Sequence, residues 1–179
     1  MYAINVYSPK GGVGTTTVAS LLAYSMSKHH YVGLVGKDTE SLFATLAHPT
    51  TRLPSKISHA LTVSDEPIKD CDFMFFDSRA FMAAADMNIL VTQNTYLSIR
   101  KCMSLKHDLA VVQMMPDGAL EQKDVINVIG GNNHVFINWS SATLRSLDAG
   151  LLDGILQNNT QVQELIAAVD NNIKAEASF

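Results

Sequence analysis

Ser8-Pro-Lys-Gly-Gly-Val-Gly-Thr-Thr-Thr17 is a glycine-rich stretch between two segments of opposite character. Before it, Tyr2-Ala-Ile-Asn-Val-Tyr7 has the composition of a β-strand. After it, from Thr16 to Lys28, Val18, Leu21, Leu22, Ser25 and Met26 recur at helical spacing. Strand, glycine loop and helix in that order make a phosphate cradle. Gly11, Gly12 and Gly14 let the backbone wind round a phosphate chain with its N–H groups turned inward, and the helix N-terminus adds a favourable dipole. The general pattern is G-x-x-x-x-G-K-[ST], in which the lysine reaches the β- and γ-phosphates and the next hydroxyl binds Mg²⁺. Here Pro9 stands at the first glycine position, Gly14 at the second, Thr15 at the lysine position and Thr16 at the hydroxyl position. The cradle is retained, and its principal cation is missing.

Working outward, Tyr31 to Val35, Asp72 to Phe76, Met87 to Thr92, Leu109 to Met114 and His134 to Asn138 are short, nearly continuous apolar runs. Strands covered on both faces have this composition. Helix-like segments near 96 to 107, 121 to 129 and 141 to 149 separate the later ones, and the alternation predicts an α/β fold: a doubly wound, mostly parallel sheet with helices on both faces. Residues 48 to 69 hold Pro49, Pro54 and Pro67 among mixed polar residues, and the expectation there is short helices and turns rather than core strands.

At 179 residues the size prior is a single domain, 1 to 179, able to bury a core without disulfides. Charged residues make up 17% and the formal net charge is −4, which argues against nucleic-acid binding through bulk positive charge. Cys71 and Cys102 lack metal spacing and read as buried thiols of a reducing, cytoplasmic environment. No apolar run approaches the roughly 20 residues of a membrane span, and none resembles a signal peptide. His29-His30 has no acidic or thiol partner at ligand spacing. Val162, Leu165, Ile166, Val169 and Ile173 follow helical spacing and read as a core helix. Lys174 is the only basic residue from 160 to 179, so an anionic membrane surface has little to attract. Arg100, Lys101 and Lys106 form a small positive cluster on one expected helix, either a solvated face or a contact for DNA phosphates.

Ligands of doubly wound sheets bind beyond the carboxyl ends of the strands, and two carboxylates stand there. Asp77 ends the run Phe73 to Phe76, where phosphate-loop proteins hold an aspartate that supports Mg²⁺. Asp38 follows the run ending at Val35. One reading makes it a carboxylate facing the ligand; the other makes it the N-cap of a short helix beginning near Thr39.

Pro9-Lys10-Gly11-Gly12-Val13-Gly14-x-Thr16-Thr17 resembles the deviant P-loop of the ParA/MinD family of ATPases. In that family a lysine ahead of the two glycines reaches across a nucleotide-sandwich dimer to the partner's phosphates; Lys10 holds this position. The resemblance implies ATP or ADP as ligand, held by Lys10, Gly11, Gly12, Val13, Gly14, Thr15, Thr16 and Thr17. It implies Mg²⁺ held by Thr16 and Asp77, and catalytic roles for Lys10 and Asp38. Leu34-Val-Gly-Lys-Asp-Thr-Glu40 is similar to the family's switch segment, apolar-Val-Asp-x-Asp-Pro-Gln. Asp38 falls on the second aspartate, which positions the attacking water; Gly36 replaces the first, and Thr39 and Glu40 replace Pro-Gln. Asp77 is followed by Ser78-Arg79-Ala80 where the family often has x-Pro-Pro, and Leu21 stands where it commonly has an asparagine. Ala85 to Ile99 and Leu144 to Gly150 extend the similarity over nearly the whole chain.

Phosphoryl transfer depends on positioning and charge cancellation, so a hydroxyl in place of the lysine predicts slow or absent hydrolysis with nucleotide binding better preserved. The resemblance implies a ParA-like partition protein, a homodimer on binding ATP, acting with non-specific DNA and a small DNA-binding adaptor in the cytoplasm or on the nucleoid. Two alternatives stand beside it. One is a MinD- or CpaE/TadZ-like positioning factor that recruits a protein assembly. The other is a degenerate P-loop module without nucleotide.

Overall fold

The computed structural model describes residues 1–46, 53–58, 60–117, 120–131, 133–140, 143, 145 and 151–176. In chain order the elements are β1 (Tyr2–Tyr7), α1 (Thr15–Met26), β2 (Val32–Gly36), α2 (Thr39–Thr45), β3 (Ser55–Lys56), β4 (Leu61–Ser64) and β5 (Phe73–Ser78). There follow β6 (Met87–Gln93), α3 (Tyr96–Cys102), β7 (Leu109–Met114), α4 (Gln122–Ile129), β8 (His134–Asn138), α5 (Leu152–Asn158) and α6 (Thr160–Glu176).

The strands form one sheet in the order β3-β4-β2-β5-β1-β6-β7-β8. Every pairing is parallel except β3 with β4. The apolar runs serve both faces because successive side chains alternate. Ile89 and Val91 of β6 pack with α1, α2, α5 and α6 on one face, whereas Leu90 packs with Ile99 and Cys102 of α3 and Val125 and Ile129 of α4 on the other. The doubly wound, mostly parallel sheet expected from the sequence is what the chain adopts. In α6, Val162, Leu165 and Val169 are buried in the main core, as the helical spacing predicts. Cys71 and Cys102 are buried free thiols.

Two expectations need correction. Residues 48 to 69 contain a core strand, not only turns: Leu61-Thr-Val-Ser64 is buried throughout and pairs with β2 in the register Val32↔Leu61 to Val35↔Ser64. Four residues are too few for periodicity to declare a strand, and the nearby prolines lie outside it. The helix expected over 96 to 107 stops at Cys102, since Met103 is extended and Ser104 takes φ 62. Lys106 is therefore not on the same helix as Arg100 and Lys101, and the expected basic cluster on one helix does not form. Most of the helix expected near 141 to 149, and of Leu144 to Gly150, lies outside the described residues. Among the described residues no helix is long and apolar enough to cross a membrane.

If β4 carries this share of the core, Leu61→Ala, at a fully buried position, lowers stability by about 2–5 kcal/mol in denaturant unfolding. A loss within the noise of a surface substitution would contradict the placement of β4 between β2 and β3.

Candidate functional site

The loop after β1 turns back on itself through Gly12 at φ 73 and Gly14 at φ 84, the left-handed region that other residues enter at a cost. Gly14 is also the N-cap of α1 and brings no side chain to cap it, so the first N–H groups of the helix lack a side-chain acceptor. A Cβ at Gly14 would lie 2.1 Å from Gln113 Nε2, which packs against the back of the loop. That amide nitrogen is buried and has no hydrogen-bond partner among the described residues. Gln93, at the end of β6, donates from Nε2 to the Gly12 carbonyl at 3.3 Å. Val13 turns inward and is 1% exposed.

The loop opens on a cleft of about 930 Å³. Gly12, Gly14 and Thr15 to Thr17 form one wall; Lys37, Asp38 and Ser41 form a second; Asp77 to Met82 form a third. Thr16 Oγ1 donates to Asp77 Oδ2 at 2.6 Å, so the two residues expected to share a cation already meet. Asp77 lies within β5, immediately after Phe76, paired with Val6 of β1 and Gly36 of β2. Burial pushes its carboxyl above the ordinary carboxylate range, outweighing the Thr16 hydrogen bond and the Arg79 charge, which lower it. Gly36 fits this crowding. A Cβ there would lie 3.3 Å from the Asp77 Cβ and 3.0 Å from Leu42 Cδ1, so an aspartate at 36 would press a second carboxylate against Asp77.

Asp38 caps α2, accepting from the Ser41 N–H at 3.1 Å and from Ser41 Oγ at 2.8 Å, bonds that hold its carboxyl below its usual range. Of the two readings of this residue the cap is present, and the same carboxylate also borders the cleft. Lys10 does not line the cleft. Its Nζ donates to Ser98 Oγ at 2.9 Å and Gln93 Oε1 at 3.4 Å, on the side of α3.

Sequence reasoning missed the clamp that shapes the third wall. Asn5 and Asn88 are neighbours in the β1–β6 register and both are buried. Asn5 Nδ2 donates to Asn88 Oδ1 at 2.8 Å and to the Ala80 carbonyl at 2.9 Å, while its Oδ1 accepts from Ser78 Oγ at 2.7 Å. Asn88 accepts from the Met82 N–H at 3.0 Å and donates to the Met82 carbonyl at 3.1 Å. Residues 78, 80 and 82 are thereby tied to the sheet. The available signal was an asparagine inside each of two otherwise buried strands, since a buried amide must find partners.

This donor set suits a phosphate chain and a small hard cation: left-handed glycines, an uncapped helix start, and a hydroxyl paired with a carboxylate. No family model and no curated protein matches the sequence. Solved structures do match it. The MinC:MinD cell division protein complex of Aquifex aeolicus is similar at 15% identity over 97% of this chain and 96% of the other, with a TM-score of 0.75. The septum site-determining protein MinD complexed with Mg-ADP from Pyrococcus horikoshii OT3 gives 13% identity, 95% of each chain and 0.75. A plasmid partition protein of Borrelia burgdorferi B31 bound to AMPPNP gives 13% identity, 98% of this chain and 99% of the other, and 0.70. The chain has the P-loop fold of the MinD and ParA ATPases.

Because Asp77 binds its proton more tightly folded than unfolded, the folded state holds more protons above the ordinary carboxylate range, and stability falls as pH rises through that window. Asp77→Asn, which can still accept from Thr16, therefore raises the unfolding temperature at pH 7 in metal-free buffer. The gain shrinks as pH falls toward 4, measured by thermal melts across the series.

Proposed function

We propose that this chain is a ParA-like partition protein of the ParA/MinD family, an ATP- and ADP-binding switch that dimerises with nucleotide and hydrolyses it slowly or not at all. The observation that carries the reading is the convergence of the glycine cradle and the Thr16–Asp77 pair on one cleft. In this reading the N–H groups of Gly11 to Thr17 hold the phosphates, and Thr16 and Asp77 hold Mg²⁺, which when bound would neutralise phosphate charge. Asp77 is held in an environment that penalises its charge, so a cation there finds a carboxylate gaining more than a solvated one would.

The catalytic half is weaker. Thr15 brings no charge to the phosphates. Asp38 orients a water only after giving up Ser41, because both of its oxygens are occupied by the cap. Lys10 must leave Ser98 and Gln93 before it can reach a partner protomer. Each is a change that dimerisation on nucleotide would have to bring about, and this supports a switch more than a fast enzyme. DNA and a small DNA-binding adaptor are the partners of this reading, with the protein in the cytoplasm and nucleoid-associated when DNA-bound. The net charge of −4 favours a second reading, a MinD- or CpaE/TadZ-like positioning factor that recruits a protein assembly instead of DNA.

Calorimetry with ATP and Mg²⁺ is expected to show binding and a turnover assay to show little phosphate release. Thr15→Lys should raise turnover by at least about tenfold, since one well-placed charge or donor at developing phosphate charge is worth roughly 10²–10³ in rate. Absence of binding heat and of thermal shift would leave only a P-loop interaction module. DNA binding that appears with ATP and weakens steeply along a salt series separates partition from protein positioning; ATP-dependent dimers without DNA affinity would favour the second reading.

A further inference from the structure

Arg79 lies on the third wall of the cleft, directly against the phosphate loop. A Cβ at Gly11 would sit 2.9 Å from Arg79 Nη1, so the guanidinium lies over the first glycine of the loop. Arg79 is exposed and, among the described residues, makes no hydrogen bond and no ion pair. Its backbone neighbours, in contrast, are fixed: Ser78 and Ala80 are tied to Asn5, and Met82 to Asn88. A free cation on a clamped backbone, held over a phosphate loop that lacks its lysine, is an arrangement with a chemical use.

We propose that Arg79 supplies, within the same chain, the phosphate-directed positive charge that Thr15 cannot. The proposal rests on reading the cleft as a nucleotide site, and its ligand is the di- or triphosphate chain of a nucleotide. The planar guanidinium presents paired donors that match two phosphate oxygens. It reaches the loop from the β5 end, whereas a P-loop lysine reaches the phosphates from the helix start. A side chain already charged, solvated and unpaired need break no protein contact to turn toward an anion. The Asn5–Asn88 clamp holds its Cα in place, which lowers the ordering cost of binding. The two carboxylates of the cleft, Asp77 and Asp38, feel its charge without forming an ion pair with it, so the guanidinium remains available.

The test is calorimetric titration of ADP and ATP, in the presence of Mg²⁺, into the unmodified protein, Arg79→Ala, Arg79→Lys, the double variant Arg79→Ala with Thr15→Lys, and Lys123→Ala as a control for loss of one surface charge. Arg79→Ala should unfold close to the unmodified temperature, since the side chain is exposed and makes no hydrogen bond or ion pair among the described residues. It should weaken ATP binding roughly 10- to 100-fold, the worth of a charge-assisted hydrogen bond or two. Arg79→Lys should keep part of the affinity, Lys123→Ala all of it, and adding Thr15→Lys to Arg79→Ala should restore most of what was lost. Unchanged affinity in Arg79→Ala would overturn the proposal while leaving the nucleotide site intact. A loss that Thr15→Lys fails to restore would overturn it too, because Arg79 would then serve something other than the missing charge. No nucleotide binding by the unmodified protein would overturn the nucleotide reading itself, and this proposal with it.

Discussion

The parallel pairing of β1 with β5 and β6 decides where everything else in the site falls. Val6 is level with Asp77 and Tyr7 with Ser78 on one side, and Asn5 is level with Asn88 on the other. Because parallel strands need crossovers, all of them deliver their carboxyl ends to one edge of the sheet. The loop leaving β1 therefore meets the last residues of β5 and β6 at the same height. Thr16 reaches Asp77, and Gln93 reaches Gly12, because of that register. A slip of one residue would turn Asp77 to the other face and dissolve the cleft.

The same register explains how the chain departs from the pattern its loop resembles without losing the shape of the site. Prolines after the β5 aspartate would restrict the backbone of the third wall locally. Here two buried amides do so at long range, each with its hydrogen bonds made. A buried amide with partners costs little, and one without partners costs a good deal, so this network favours one path for residues 78 to 82. Gly36 is part of the same economy of charge. With a glycine there, Asp77 has no carboxylate beside it on β2, and one buried acid is easier to keep than two.

Charge in the cleft is distributed unusually for a phosphate-binding loop. The helix start contributes a hydroxyl and N–H groups, the cations lie on the other two walls as Lys37 and Arg79, and Lys10 is turned away toward Ser98. Backbone donors and a divalent ion suffice to recognise a phosphate chain, since both are directed at fixed anionic oxygens. Rapid transfer asks for more, because charge that develops in the transition state must be met by groups already in place. If the cleft is a nucleotide site, it is better furnished for holding its ligand than for cleaving it.

The sequence by itself determined the strand, loop and helix around Gly11 to Thr17, five of the remaining strands, the core character of α6, and Thr16, Asp77 and Asp38 as residues of interest. Those features depend on local composition and spacing, which a chain displays without folding. It concealed β4, whose burial comes from its place in the sheet beside β2 and in the main core, and the early end of α3, which backbone conformation at Met103 and Ser104 imposes. Only the tertiary structure brought Asn5 to Asn88, Gln113 to Gly14, Lys10 to Ser98 and Arg79 to Gly11, across separations of tens of residues. No periodicity encodes such pairs. They follow from sheet order and register, which set distances between strands that the linear chain leaves far apart.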